Sequence, residues 1–379
     1  MIKAGILGGG QLGRMLLQAA ANYPVKTFLM ENDPACPAAH LCHHFTLGDI
    51  TNFEDVYNFG KNLDCITIEI ENVNTEALEK LHSEGVRVYP NPAVLRTIKN
   101  KIYQKEFFTK HDIPTSPYVV TNSREELVLH TGFLPAVHKA ATGGYDGRGV
   151  QLLHKAEDIA KGFDAPAVLE KMVNIKKEIA LIIAVDEKGK TRIYPPVDMV
   201  FDPRLNLLLY QVCPAVIPEK VFWKAEAIAL RLVKAFNSAG IFAVELFSDE
   251  DENVWVNEVA PRVHNSGHHT IEASYSSQFD MLWRILLQYP LGNADNIISS
   301  SLVNIVGDAG AEGEAYYEGL EEILAMENVF VHMYGKAIVK PGRKMGHVTI
   351  ISAEMQEVLH KARQVSQIIK ATTNPHPTI

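Results

Sequence analysis

The sequence has few cysteines, no long apolar run and no excess of basic residues, and each absence narrows its function. Four scattered cysteines in 379 residues favour a reducing compartment over a disulfide-stabilised secreted protein. Every apolar stretch is shorter than the ~18 residues that cross a bilayer. The net charge of −9 argues against nucleic-acid or membrane-surface partners, since both need a basic footprint. We therefore expect a cytoplasmic protein without either partner.

The length and the alternation of apolar segments predict several domains rather than one core. Strands at 2–7, 25–30, 64–70 and 86–89 alternate with helices at 11–21, 53–60 and 75–82, which is typical of a doubly wound parallel sheet. Two short basic helices follow, then strands of more antiparallel character, a long helix at 219–239 and a smaller α+β region after Pro290. We predict a chain of mixed α/β and α+β class with domains at 1–98, 99–295 and 296–379.

Two glutamates at mirror-image positions on one predicted hairpin are the most informative pair in the sequence. Glu245 and Glu258 lie in strand-like segments on either side of the polar turn 248–253. If the pairing is symmetric, they face each other with Cβ atoms roughly 5 Å apart, and a divalent cation would relieve their repulsion. A register shifted by one or two residues would instead leave two unrelated acids. In a regular strand, Asn257 faces away from Glu258.

Two glycine-rich segments follow predicted strands. The first, Gly8 to Gly13, has G-x-G-x-x-G spacing, which is typical of a dinucleotide site but also of other anion or polar-ligand sites. It also interrupts the apolar N-terminus, so we expect no signal peptide. The second, 143–149, can close backbone N–H groups over phosphate oxygens, with Lys139 just before it. A flexible hairpin connection is the alternative for this second segment.

Two further segments place cations beside the hairpin or in a loop. Arg262, His264, Asn265 and Ser266 directly follow the strand of Glu258 and suggest an anion-binding corner. The loop from Lys336 to Arg343 is basic in an acidic chain. It is interpreted either as a solvated turn or as a phosphate clamp.

Four strings in this order resemble the ATP-grasp enzymes, and specifically the 5-(carboxyamino)imidazole ribonucleotide synthetase family. They are Gly10-Gln-Leu-Gly-Arg-Met15, Gly143-Gly-Tyr-Asp-Gly-Arg-Gly149, Asn257-Glu-Val-Ala-Pro-Arg-Val-His-Asn-Ser-Gly-His268 and Pro341-Gly-Arg-Lys-Met-Gly-His347. The resemblance covers nearly the whole chain. It implies an N-terminal α/β domain, a central ATP-grasp domain, a small C-terminal domain, a homodimer, and ATP-dependent carboxylation of aminoimidazole ribonucleotide with bicarbonate and magnesium.

The resemblance also implies roles for individual residues. Magnesium would be bound by Glu245 and Glu258. ATP would be bound by Arg96, Lys139, Gly143, Gly144, Tyr145, Asp146, Gly147, Arg148, Gly149, Glu170, Lys171, Met172, Val173, Glu178, Asn257 and Glu258. Aminoimidazole ribonucleotide would be bound by Gln11, Leu12, Glu69 or Glu71, Tyr145, Asp146, Arg148, Ser266, Lys336 and Arg343. Bicarbonate and carboxyphosphate would be positioned by Arg262, His264, Asn265 and Ser266, with Asp146 as the base.

Three other classes of protein share parts of this pattern. A biotin carboxylase or a formate-dependent glycinamide ribonucleotide transformylase would share the nucleotide site but differ at 262–268 and 336–347. An NAD-dependent oxidoreductase would need hydride-transfer residues, which the sequence does not suggest. A non-catalytic nucleotide-binding module could dispense with Glu245 or Glu258, and both are present.

Overall fold

The computed structural model describes residues 1–143, 149–201 and 208–374. Its N-terminal part contains strands β1 Ile2–Leu7, β2 Val25–Glu31, β3 His44–Leu47, β4 Cys65–Ile68 and β5 Arg87–Tyr89, and helices α1 Gln11–Ala20, α2 Phe53–Gly60 and α3 Thr75–Ser83. The strands form a parallel sheet in the order β3-β2-β1-β4-β5. The predicted doubly wound sheet is confirmed, although sequence reasoning missed β3.

Two short helices, α4 Pro92–Ile98 and α5 Lys101–Lys110, lead into the central part. The side chain of Asn91 caps α4, and Pro92 fits its first turn, where a backbone N–H has no helical partner. Asn100 caps α5 in the same way. The N–H of Lys101 donates to Ala141 O (2.8 Å), which ties the start of α5 to the segment before the glycine-rich loop.

The central part contains two sheets. Its strands are β6 Tyr118–Thr121, β7 Ala136–Ala140, β8 Val150–Leu153, β9 Ala167–Lys171, β10 Ile175–Val185, β11 Thr191–Ile193, β12 Val197–Phe201, β13 Leu208–Cys213, β14 Gly240–Asp249 and β15 Val254–Ala260. Its helices are α6 Glu219–Phe236, α7 Thr270–Ala273 and α8 Gln278–Leu286. Strands β6 to β9 form a small antiparallel sheet in the order β6-β9-β7-β8. The others belong to a larger sheet that carries the Glu245–Glu258 hairpin.

The C-terminal part continues that larger sheet rather than forming a separate one. It contains β16 Ser299–Val306, β17 Gly313–Glu318, α9 Leu320–Leu324, β18 Val329–Met333, β19 Ile338–Val339, β20 Lys344–Ser352, α10 Met355–Ile368 and β21 Lys370–Thr373. The order of the sheet is β15-β14-β10-β12-β13-β16-β20-β18, and β13 pairs with β16 across the expected domain boundary. Strands β17, β19 and β21, which sequence reasoning missed, form a small separate sheet.

Helix α8 anchors the N-terminal sheet to the hairpin. Its buried Trp283 donates from Nε1 to Leu16 O of α1 (2.7 Å), and Phe279 lies in the same apolar cluster. The cluster also contains Ile182 of β10 and Ala243 of β14. The glycine-rich start of α1 and the carboxylate hairpin are therefore fixed to one core. None of the helices in the described ranges is long and apolar enough to cross a membrane.

Candidate active site

The hairpin of β14 and β15 brings the two predicted acids together. Glu245 is paired directly with Glu258 in the antiparallel register. The strands are joined by a short turn in which the N–H of Asp249 donates to Asn253 O (3.1 Å) and Glu252 has a positive φ of 58°. The predicted opposition of the two carboxylates is confirmed.

Between the turn and the acids, however, the register of the two strands shifts by one residue at a β-bulge. Next to the acids, Leu246 pairs with Val256, so a regular register would pair Glu245 with Asn257 and turn Glu258 to the opposite face. The bulge leaves Asn257 as the extra residue. Glu258 therefore faces Glu245, as expected, but only because one residue is inserted between the acids and the turn.

A third carboxylate lies on the same face of the sheet. Ala180 of β10 is opposite Glu245, so Glu178, two residues away, is a diagonal neighbour of Glu245. Burial raises the pKa of Glu178 to about 7. Burial, followed by the charges of Glu258 and Glu178, also raises the pKa of Glu245. The negative charges of Glu178 and Glu258 therefore disfavour ionisation of Glu245, and a cation at the Glu245–Glu258 pair would relieve this repulsion.

Lysines border the acid pair. Lys101 Nζ lies 3.2 Å from Glu258 Oε2, and Lys139 Nζ donates to Asn257 Oδ1 (3.0 Å). The strand is bulged at Asn257, so the regular-strand geometry that would turn Asn257 away from Glu258 does not apply, and its side chain contacts Lys139. Burial alone would raise the pKa of Glu258, but Lys101 and Lys139 outweigh it and lower that pKa. Cations beside paired carboxylates suit a ligand that carries both phosphate and metal.

Lys139 is itself held by a buried ion-pair network. Its Nζ lies 3.1 Å from Glu170 Oε1, while Glu170 Oε2 accepts from Lys105 (2.8 Å) and Ser116 (2.7 Å). Burial opposes the charge on Glu170, yet Lys139 and Lys105 lower the pKa of this carboxyl to about 2. Burial lowers the pKa of Lys105 to about 8. Lys105 lies on α5, one of the two short basic helices that the sequence predicts, but the sequence did not place it at the site.

The end of β9 is fixed through its backbone. The N–H of Lys171 donates to Pro117 O (2.8 Å), and the N–H of Met172 donates to Pro135 O (3.1 Å). The Lys171 side chain is exposed, and Val173 is half-buried. Binding of adenine by the segment from Glu170 to Val173 stays a prediction.

The loop after β15 brings predicted anion-binding residues next to the acids. Arg262 Nε lies 2.9 Å from Glu71 Oε1, and His264 Nε2 lies 3.7 Å from Glu245 Oε1. Asn265 is buried, and its Oδ1 accepts no hydrogen bond from the residues the structure describes. The loop therefore connects the acid pair with the end of β4.

His264 is a neutral hydrogen-bond donor in this arrangement. Burial, together with Arg262 and Lys344, holds its pKa well below the usual value. The N–H of Ser266 donates to His264 Nδ1 (3.3 Å), and the Ser266 hydroxyl lies 2.9 Å from the same nitrogen. Because Nδ1 accepts, we assign the ring proton to Nε2, which faces Glu245.

The first glycine-rich segment is closed by a carboxylate of the protein itself. Glu69 accepts hydrogen bonds from the N–H groups of Gly10 and Gly13, and Glu31 accepts from Gly9 (2.9 Å). Glu69 therefore occupies the helix N-terminus at which a dinucleotide phosphate would bind. This geometry disfavours the NAD alternative. Burial raises the pKa of Glu69.

Gln11 and Lys336 meet across 325 sequence positions. Lys336 Nζ donates to Gln11 Oε1 (2.7 Å) and to Lys344 O (2.7 Å). Leu12 beside them is buried. Arg343 is exposed and donates from Nη1 to Ile338 O (2.8 Å). The structure thus joins the N-terminal glycine segment to the C-terminal basic loop through Lys336.

Some predicted residues lie elsewhere or outside the described residues. Arg96 is 60% exposed and forms an ion pair with Glu79 of α3 (2.5 Å). Gly143 and Gly149 have positive φ values of 78° and 80°. The predictions for Gly144, Tyr145, Asp146, Gly147 and Arg148 fall outside the described residues. Lys101, which contacts Glu258, and Gln278, whose side-chain amide contacts the backbone of His264, belong to the site. The sequence did not place them there, because these partners are distant along the chain.

Three family models match successive parts of the chain. The ribonucleotide synthetase preATP-grasp domain matches residues 1–99, the ATP-grasp domain 106–279, and the phosphoribosylaminoimidazole carboxylase C-terminal domain 300–361.

Curated relatives match nearly the whole chain or all of it. The N5-carboxyaminoimidazole ribonucleotide synthase of Aquifex aeolicus is 36% identical over 388 residues, covering 100% of both chains. The phosphoribosylaminoimidazole carboxylase of Candida glabrata is 34% identical over 93% of this chain, which spans 64% of that longer relative.

Solved structures agree with these relatives. The crystal structure of N5-carboxyaminoimidazole ribonucleotide synthetase from Thermotoga maritima superimposes with a TM-score of 0.92 and 35% identity, covering 99% of this chain and 100% of that one. The Aspergillus clavatus enzyme in complex with ADP and 5-aminoimidazole ribonucleotide gives a TM-score of 0.87 and 33% identity, covering 97% and 98%. The chain belongs to the N5-carboxyaminoimidazole ribonucleotide synthase family of ATP-grasp ligases.

Proposed function

We propose that the protein uses ATP and bicarbonate to carboxylate the exocyclic amine of 5-aminoimidazole ribonucleotide. The products are 5-(carboxyamino)imidazole ribonucleotide, ADP and phosphate, in purine biosynthesis. The direct pairing of Glu245 with Glu258, between Lys101 on one side and His264 on the other, carries this proposal. Kinship with enzymes that bear this name supports it.

The donor set fits a magnesium ion. Glu245 and Glu258 supply facing oxygens, and Glu178 lies diagonally beside Glu245. Burial, followed by the charges of Glu258 and Glu178, raises the pKa of Glu245, and a bound cation would offset both effects. Magnesium bound there would neutralise charge on the phosphates of ATP. On this proposal, Lys139 binds phosphate oxygens, with Glu170 and Asn257 fixing its ammonium group.

ATP is proposed to bind between the small antiparallel sheet and the hairpin. The 143–149 loop covers the phosphates, and the segment from Glu170 to Val173 receives the adenine. Glu178 contributes either to the ribose or to the metal. Arg96 is the least supported member of the set, because its ion pair with Glu79 engages the guanidinium elsewhere.

Bicarbonate is a poor nucleophile and a poor electrophile, so its activation needs a phosphoryl group. Its oxygen attacks the γ-phosphorus, the bond to ADP breaks, and carboxyphosphate forms. Arg262 is proposed to hold the bicarbonate charge, and His264 Nε2–H and Asn265 to donate hydrogen bonds to its oxygens. A neutral His264 suits this role, because it offers a proton for hydrogen bonding without adding charge.

The amine then attacks the carboxyl carbon, and inorganic phosphate leaves. A base must accept one amine proton, and we propose Asp146, whose unperturbed pKa of about 3.9 is low for that role. Gln11, Leu12 and Ser266 are proposed to line the aminoimidazole ribonucleotide site, with Lys336 on the phosphate. Tyr145, Arg148 and Arg343 complete the proposed set, while Glu69 and Glu71 position Gly10 and Arg262.

The assembly and location of the protein are also proposals. A homodimer is implied by the family and is testable by light scattering. A cytoplasmic location is supported by free thiols at Cys36, Cys42, Cys65 and Cys213. Domain limits at 1–98, 99–295 and 296–379 are proposed as well, and the division of the family matches into 1–99, 106–279 and 300–361 supports them.

Phosphate release from ATP tests the function. With bicarbonate present, the rate is expected to rise when aminoimidazole ribonucleotide is added, and carboxylated product should form in equal amount. Stimulation must disappear when bicarbonate is removed. Release that is indifferent to the ribonucleotide would reject this substrate while leaving an ATP-grasp ligase of another kind.

A further inference from the structure

Gln278, the first residue of α8, binds the 262–266 loop, the proposed bicarbonate site, through its side-chain amide. Its Oε1 accepts from the N–H of His264 (2.9 Å), and its Nε2 donates to His264 O (2.7 Å). Both backbone groups of His264 are thus bonded to one side chain, as they would be to a neighbouring strand. Gln278 is completely buried.

The amide is itself fixed on all sides. Its Nε2 also lies 3.2 Å from His268 Nδ1, and the backbone N–H of Gln278 donates to Thr270 Oγ1 (3.0 Å). A Cβ atom at Gly267 would lie 2.6 Å from the Gln278 side chain. Because hydrogen bonds hold that side chain, it cannot move aside cheaply, and only glycine fits at 267.

The backbone that Gln278 holds carries the His264 ring, which lies near the acid pair. With its backbone held by Gln278, the His264 ring reaches Ser266 Oγ at 2.9 Å and Glu245 Oε1 at 3.7 Å. The neighbouring Asn265 and Ser266 lie in the same short 3-10 turn, Asn265–Gly267. A shift of the His264 backbone would therefore move two proposed bicarbonate contacts, His264 and Asn265, together with Ser266 of the proposed ribonucleotide site.

We propose that Gln278 is a positioning residue that presets the bicarbonate site by clamping the backbone of His264. It touches no reacting atom. The inference rests on the proposed function, because it assigns bicarbonate to the 262–266 loop. The clamp needs one end that accepts a hydrogen bond and one that donates, and the glutamine amide supplies both.

The test compares Gln278→Met with Gln278→Glu and with Gln18→Met, the same change at an exposed position of α1. Methionine has a similar volume but offers neither hydrogen bond. For Gln278→Met we expect the KM for bicarbonate to rise about 10-fold to 100-fold. The KM for ATP should stay within about twofold of the wild-type value. In Gln18→Met, the KM for bicarbonate and the KM for ATP should both stay within that range.

Gln278→Glu gives a second readout that does not depend on the methionine variant folding. A carboxylate at this position would direct oxygen at His264 O, whereas a protonated carboxyl could donate to it. Burial raises the pKa of such an acid. The ratio of variant to wild-type kcat/KM for bicarbonate should therefore rise as the pH falls from 8 to 6.5, with bicarbonate concentration held constant.

Two results would overturn the clamp. One is a folded Gln278→Met enzyme with an unchanged KM for bicarbonate, or with equal increases for bicarbonate and ATP. The other is a Gln278→Glu ratio that does not change with pH. Failure of the proposed function is distinguishable, because the wild-type enzyme would then show no bicarbonate-dependent phosphate release.

Discussion

At the scale of single residues, Glu178 and Glu170 show opposite responses to burial. Burial raises the pKa of Glu178 to about 7. Glu170 is more deeply buried, but Lys139 and Lys105 bring its pKa down to about 2. The Glu178 carboxyl is therefore stabilised by a proton or by a bound cation, whereas the Glu170 carboxylate stays charged and binds Lys139.

We predict that ionisation of Glu178 destabilises the metal-free protein. An acid with a raised pKa binds its proton more tightly when folded, so stability falls as pH rises from 4.5 to about 7. At about 1.4 kcal/mol per pKa unit, the effect is at most about 3.5 kcal/mol. Urea unfolding at pH 5 and pH 8, in the presence of a chelator, measures this fall in the free energy of unfolding. The part of the fall that Glu178 causes should be absent in Glu178→Gln. An equal pH dependence in wild type and variant would refute it, with Glu106→Gln as the exposed control.

Removing Lys105 should destabilise the fold strongly. Lys105→Met leaves the buried Glu170 with one cation fewer, and breaking a buried ion pair costs about 3–5 kcal/mol. Lys110→Met, at an exposed position on the same helix, is the matched control and should cost less than about 0.5 kcal/mol. Chemical denaturation measures both, and similar values for the two variants would contradict the network.

At the scale of elements, the hairpin shows how far local sequence reaches. The alternation of apolar and polar residues predicted both strands, because each strand's pattern is local. The bulge at Asn257 was not predictable, since an inserted residue changes the register without changing the pattern. Likewise, the closeness of Glu178 to Glu245 and of Gln278 to His264 depends on pairing and packing between distant segments.

The start of α1 is a second element whose glycine spacing has a structural reason. A Cβ at Gly13 would lie 2.7 Å from Gly8 O, a backbone atom that cannot yield. Gly13→Ala should therefore destabilise the protein by about 1–3 kcal/mol, despite the better helix propensity of alanine. Gly132→Ala meets nothing within 4 Å and should be nearly neutral. A Gly13→Ala protein with unchanged thermal stability would contradict this close approach.

At the scale of the molecule, the continuous sheet makes the C-terminal part integral. Strand β13 pairs with β16 through Tyr210–Val303 to Cys213–Ser300, and Lys336 reaches back to Gln11. The sequence predicted an α+β region after Pro290 but not this continuity, because strand pairing between parts is nonlocal.

A chain ending at Ile298 should consequently fail to fold cooperatively. It would leave the edge of β13 unpaired and remove most of the apolar cluster around Val303 and Ile350. We expect an insoluble product, or a thermal transition without cooperativity by calorimetry. A soluble fragment with a sharp transition would show that the C-terminal part is an independent unit.

Binding of manganese in place of magnesium, in the presence of ADP, tests the acid pair most directly. Electron paramagnetic resonance should show ADP-dependent manganese binding by the wild type and by Glu250→Gln, whose carboxylate is exposed on the hairpin turn. Glu258→Gln should bind at least about tenfold more weakly, with turnover lost and thermal stability nearly unchanged. Undiminished manganese binding by a folded Glu258→Gln protein would contradict the proposal that Glu245 and Glu258 together hold the metal.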